Sequence, residues 1–139
     1  MTHGRVTAAP PTAEEAALVA EFRAALRRFH HESERVARAS GLTPAWYLLM
    51  LQIKGAPDLS EQTTVTMLAE RLHLAQSSVT ELVGRAEQAG MLEREQSPDD
   101  ARVVHLRLSP EGERRFAQAF RSLAAERRAL RETIAELED

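Results

Sequence analysis

The chain has 139 residues, 43% hydrophobic and 28% charged, with a formal charge of −3 and no cysteine. That length suits one domain with a modest core. The composition excludes disulfides, thiolate metal sites and thiol redox switches, and the slightly acidic total does not by itself announce a nucleic-acid partner.

Residues 1–12 are polar, contain Pro10 and Pro11, and read as a flexible N-terminal tail. They lack the apolar core of a signal peptide, and no later apolar run is long enough to cross a membrane, so a cytoplasmic location is expected. Thr12 and Glu15 have capping-box spacing, which starts a helix at Ala13. Leu18, Phe22, Ala25, Leu26, Phe29 and Val36 then recur at helical spacing up to Ser40, and Gly41 ends the run. Thr43 followed by Pro44 is a cap with proline in the first turn. The helix that follows, to about Lys54, carries Trp46, Leu48, Leu49, Leu51 and Ile53 on most sides and should be buried. Together residues 13–54 form an N-terminal helical support. Gly55 to Thr63 reads as a loop, with Pro57 and Asp58 as breakers.

The segment 64–108 is the most informative. Thr64 caps a short helix with Val65, Leu68, Ala69 and Leu72 on one face. His73-Leu74 makes a corner, and Gln76 opens a second helix with Val79, Leu82, Val83 and Ala86 inward. Gly90 stands where a left-handed helix stop belongs. Met91–Glu95 and Val103–Leu108 read as strands, joined through Ser97-Pro98-Asp99-Asp100, a turn in which proline fixes a dihedral and aspartate bonds back to the chain. The expected fold is therefore mainly α with a small β-hairpin wing. A helix-turn-helix followed by a hairpin is a winged helix, an arrangement that can set its second helix into a DNA major groove. Residues 109–139 begin with Ser109-Pro110, a second cap and proline. Phe116, Phe120, Leu123, Arg127, Leu130, Ile134 and Leu137 follow at alternating steps of four and three, a coiled-coil seam interrupted by one charge. The stripes of this helix and the first predict that both serve as dimerisation helices against a second copy, the alternative being that the two terminal helices pair only with each other within one chain.

In the hairpin, Asp100, Arg102, Leu108, Ser109 and Gly112 stand in the spacing D-x-R followed by L-S-x-x-G. With the helix pair LAERLHLAQSSVTELVGRAEQAGMLERE and the upstream LTPAWYLLMLQI, this resembles the MarR family (multiple antibiotic resistance regulators). The likeness runs from about Leu42 to Gly112. It implies a dimeric regulator that binds a duplex operator, most often a repressor released by a small organic ligand. It also implies one further helix after the long C-terminal one. The last stretch here reads as a single helix, so that further helix is expected to be missing or fused with its predecessor.

Candidate DNA-contacting residues follow from the start of the second helix: Gln76, Ser77, Ser78, Thr80 and Glu81, with Arg85 one turn on. Gln can pair with adenine edges and Ser or Thr with base or phosphate. One of Ser77 and Ser78 is expected to cap the helix and the other to meet DNA. Glu81 can accept from cytosine but is expected to pair with Arg85 at i,i+4 spacing. From the resemblance, Arg102 lies in the wing and reaches a minor groove. Asp100 braces that wing through backbone N–H groups or an arginine, either Arg102 or Arg94. The stretch from Thr64 to Gly112 holds more acids than bases, so help with phosphate is sought from Arg5, Arg35 and Arg38. The resemblance also implies a ligand cleft between the dimer helices and the winged helix, for which the candidates are Phe22, Arg23, His30 and His31 on the first helix and Trp46, Tyr47 and Met50 on the second. An apolar cleft with a cationic rim suits an aromatic or phenolic anion.

No cofactor, metal or catalytic role is expected. No two of His3, His30, His31, His73 and His105 have the i,i+4 spacing of a helical zinc site, and neither a phosphate loop nor a nucleophile elbow is present. The competing reading is a winged-helix protein-interaction or ligand-binding dimer with little DNA affinity, motivated by the acidic balance, by Glu81 and by Ala101, where the family often has a second Arg.

Overall fold

The computed structural model describes residues 8–137. Of the sequence expectations, the first part of the N-terminal tail, with His3 and Arg5, lies outside the described residues, as do the last two positions. The elements in order are α1 (Ala13–Ala39), α2 (Pro44–Lys54), α3 (Val65–Leu72), α4 (Gln76–Gln88), β1 (Leu92–Gln96), β2 (Val104–Leu108), α5 (Pro110–Ser122) and α6 (Ala124–Glu136).

Four helix starts are set by a hydroxyl that accepts from the N–H three residues on. Thr12 takes Glu15 at 3.1 Å, Thr43 takes Trp46 at 3.1 Å, Thr64 takes Met67 at 3.3 Å and Ser109 takes Gly112 at 2.9 Å. Such caps contribute about 1 kcal/mol each. Stops are equally local. Gly90 lies at φ 83°, with its N–H on Glu87 O at 2.9 Å and that of Met91 on Ala86 O at 2.9 Å. This satisfies carbonyls that the end of α4 would otherwise leave open.

The two strands pair antiparallel, with Leu92 opposite Leu108 and Gln96 opposite Val104. Thr63, expected in a loop, forms an isolated antiparallel bridge to Leu106 on the other edge of β2. Its N–H reaches Leu106 O at 3.1 Å and its carbonyl accepts from Leu106 N at 2.7 Å. The core gathers Leu49, Met50 and Ile53 of α2, Leu68 of α3, Val79 and Val83 of α4, Leu106 of β2 and Phe116 of α5. α2 is thus the hub, which fits its apolar surround.

The C-terminal stretch corrects the sequence expectation of one long helix. The chain breaks at Leu123, whose backbone leaves the helical region (φ −93°, ψ 3°). No glycine or proline marks the spot. Leu123 is 1% exposed and joins Phe116 and Ala119 in the core. Holding it there turns the chain, and α6 packs back along α1. The further helix, expected to be missing or fused, is therefore present as α6. Arg127, read as an interruption of the seam, lies over the Phe120 ring at 4.1 Å from its centroid and spans the bend.

Candidate nucleic-acid interface

The corner between α3 and α4 is made without glycine. His73 takes a left-handed conformation (φ 55°), and Leu74 N–H closes on Ala69 O at 3.1 Å. α4 then starts at Gln76 after Ala75, with no side-chain cap on its first turn. The expectation that Ser77 or Ser78 caps the helix is thereby overturned. Both follow the N-cap position, where a hydroxyl cannot turn back to the open N–H groups, and the residue at that position is alanine.

α4 is sharply two-sided. Val79, Val83 and Ala86 are 0% exposed, whereas Gln76, Ser77, Ser78, Thr80, Glu81 and Arg85 all face solvent. Thr80 Oγ1 donates to Gln76 O at 2.9 Å, so its proton is engaged within the helix. Gln76 Nε2 lies 3.5 Å from Thr66 Oγ1, a link from α4 to the start of α3 that sequence reasoning missed, because the two residues meet only across the corner. Arg85 Nη2 donates to Glu81 Oε1 at 2.6 Å, the expected helical pair.

In the wing, Asp100 braces Arg102 and not Arg94. Asp100 Oδ1 accepts from Arg102 N at 3.0 Å and Nε at 3.2 Å, and Oδ2 from Nη2 at 3.3 Å. The Arg102 side chain is nonetheless 91% exposed. Arg94 instead donates to Glu87 Oε1 at 2.5 Å and ties β1 to the last turn of α4. Arg107 pairs with Glu93 and Glu95, each at 3.3 Å. Every arginine from Thr64 to Leu108 except Arg71 thus has a carboxylate partner, and Arg71 donates to Gln52 Oε1 at 2.7 Å.

The side-chain and backbone donors of Arg102 hold the Asp100 carboxyl below its usual range. A depressed carboxyl adds order above its unfolded value and loses that contribution as pH falls through the folded one. Asp100→Ala is expected to speed amide exchange at Arg102 at neutral pH and leave the melting temperature nearly unchanged, because the group is exposed. Wild type should approach the variant's exchange only under strong acid. NMR hydrogen exchange checks this, and equal neutral-pH protection in the two proteins would remove Asp100 as the brace.

Within a single chain the candidate ligand residues divide between core and surface. Tyr47 stacks on Phe116 with ring centroids 5.5 Å apart, burial pushes its hydroxyl pKa up, and Met50 is 0% exposed. Trp46 is half-buried against the same core. Arg23 is exposed, and His30 Nε2 lies 2.8 Å from Glu34 Oε1. The clefts open instead between α1 and α6. One of about 380 Å³ takes in Phe29, His31, Glu126 and Leu130. A second of about 250 Å³ is lined by Leu18, Val19, Phe22, Ile134 and Leu137. Glu126 went unnoticed in the sequence and Leu130 was read only as a seam position, because both reach α1 only through the bend at Leu123. Arg35 and Arg38 pair with Glu32 and Glu34 on their own helix. Among the described residues, no three His, Asp or Glu groups gather as a metal site, and no helix is long and apolar enough to cross a membrane.

A short helix, a corner, a second helix with one face locked and the other open, and a hairpin strapped to its end define a winged helix-turn-helix protein. Residues 40–103 match the MarR family profile. The uncharacterized HTH-type transcriptional regulator YsmB of Bacillus subtilis (strain 168) is 41% identical over 51 residues, 37% of this chain and 35% of that protein. The HTH-type transcriptional repressor MdtR of the same organism is 31% identical over 80 residues, 58% of this chain and 49% of that protein. The matched stretch thus spans half or less of either curated relative. A mutant MarR from E. coli, crystallised with operator DNA, shares the fold with a TM-score of 0.67 at 18% identity, covering 94% of each chain. Over residues 40–103 the chain is thus similar to the MarR family, and the fold of the rest is shared with solved members of it.

Proposed function

We propose that this chain is a DNA-binding transcriptional regulator. It acts as a homodimer on a duplex operator in the cytoplasm, as a repressor released by a small organic ligand of aromatic or phenolic type. One observation carries the reading. The polar face of α4, with Gln76, Ser77, Ser78, Glu81 and Arg85, stands open while its other face is fully buried, and Arg94 ties the Arg102-bearing wing to the same helix. MdtR, named a repressor, and E. coli MarR, crystallised with operator DNA, support the reading by kinship and by fold. Ligand release is a population shift: a compound held beside α1 and α6 favours a dimer whose recognition helices no longer match the half-sites.

The dimer is supported by apolar side chains left open on α1. Leu18 is 43% exposed, Val19 61% and Leu26 37%, and Phe22, Ile134 and Leu137 line the neighbouring cleft. Apolar residues so grouped usually meet a partner. Val19→Asp is expected to weaken self-association at least tenfold in sedimentation and to leave the helical content intact. A variant that stays as dimeric as wild type would exclude this face.

The regulator reading is tested by a gel shift with the DNA upstream of the protein's own gene at two salt concentrations. Specific binding that weakens steeply with salt is expected. No binding at low salt would favour the alternative, a protein-interaction or ligand-binding dimer with little DNA affinity. The observation on that side is the carboxylate partner held by each of Arg85, Arg94, Arg102 and Arg107.

A further inference from the structure

α4 contains a glycine that nothing inside the chain requires. A β-carbon on Gly84 would meet nothing within 4 Å, and Gly84 is not among the positive-φ positions. Glycine inside a helix is destabilising relative to alanine. An absent side chain with no internal reason points to an external surface that comes close to the backbone. At 100° per residue, Gly84 falls on the side of α4 turned away from Val79, Val83 and Ala86, next to Glu81 and Arg85. Those two are joined by the single bond of Arg85 Nη2 to Glu81 Oε1 at 2.6 Å, with side chains 64% and 69% exposed. One carboxylate oxygen and the rest of the guanidinium fork have no partner among the described residues.

We propose that the turn holding Glu81, Gly84 and Arg85 reads a C·G base pair in the major groove. This rests on the DNA-binding reading above and names what that helix selects. Guanine offers two acceptors, O6 and N7, which fit a guanidinium fork, and its partner cytosine offers an N4 amino donor, which fits a carboxylate. The Glu81–Arg85 bond sets acceptor and donor side by side, as the edge of a C·G pair demands. Adenine offers the fork only one acceptor, and thymine offers the carboxylate no donor. The arginine also offsets the carboxylate charge that would otherwise repel nearby phosphate. Gly84 leaves room for the helix backbone to approach the groove, so that a side chain as short as Glu81 reaches a base.

The test uses the full chain, a randomised duplex library, and the variants Gly84→Ala and Glu81→Ala. Wild type should enrich sites with one dominant C·G position. Glu81→Ala should lose the cytosine preference there roughly tenfold and keep its preferences elsewhere. Gly84→Ala should melt about 3 °C higher, yet bind the enriched site roughly tenfold more weakly, measured by fluorescence anisotropy. A purely structural glycine would not move stability and affinity in opposite directions. Selective wild-type binding with unchanged affinity in Gly84→Ala, or unchanged base preference in Glu81→Ala, overturns this inference and leaves the regulator reading standing. No enrichment by wild type at low salt overturns both.

Discussion

Gly112→Ala is expected to destabilise the protein by about 3 kcal/mol or more, the upper range for a forced overpacking. For a chain of this size that lowers the melting temperature by roughly 10 °C. The reason is space and not dihedral freedom. A β-carbon on Gly112 would lie 2.1 Å from Met91 O, 3.0 Å from Met91 C and 3.3 Å from Met50 Cε. Met50 could bend, but the backbone of Met91 cannot move alone. Its carbonyl accepts from Ser109 N at 2.9 Å, and its N–H is held by Ala86 O at 2.9 Å. Ser109 in turn caps Gly112 N at 2.9 Å and donates to Gly90 O. The end of α4, the base of β1 and the start of α5 meet in this one knot, so relief for the new methyl must disturb all three. Thermal melting by circular dichroism checks the outcome; a melting temperature within about 2 °C of wild type would refute the steric argument.

Arg102→Ala is the second, and it bears on function. Under the regulator reading it should weaken operator binding roughly tenfold to a hundredfold, the 1–3 kcal/mol of a specific arginine contact. The salt dependence should become shallower by about one ion. Stability should hardly change, because the side chain is 91% exposed and its carboxylate partner is Asp100. Asp100 fixes Nε and Nη2 and leaves the remaining guanidinium N–H groups to face outward from the wing. A narrow, negatively charged minor groove is the surface that attracts such a group. Anisotropy titrations on the enriched operator give the number. Unchanged affinity would take Arg102 out of the interface while leaving α4 in it.

These two residues also show how far a sequence can be read. Gly112 and Arg102 both stand in the hairpin pattern that resembles the MarR family, yet the pattern says nothing of why glycine is needed. Only the distance to Met91 O supplies that reason. The Glu81–Arg85 pair was legible because both partners share one helix face, four positions apart. The absence of a serine cap on α4 could have been read from Ala75 standing at the N-cap position. The clefts along α1 were not legible. Phe22 and His31 do line open space, but in separate clefts whose other wall is α6, whereas Tyr47 and Met50 belong to the core.

What the sequence determined by itself were the features settled within a few residues. The caps at Thr12, Thr43, Thr64 and Ser109, the stop at Gly90, the inward faces of α3 and α4 and the turn before Arg102 all follow from spacing, because each involves neighbours that the chain brings together whatever the fold. What the tertiary structure alone decided were the bend at Leu123, the bridge from Thr63 to Leu106, the link from Gln76 to Thr66 and the walls of the clefts. Each depends on residues that meet only once the chain has folded. Leu123 leaves the helix because the core against α2 holds its side chain, and no local preference at that position opposes or announces it.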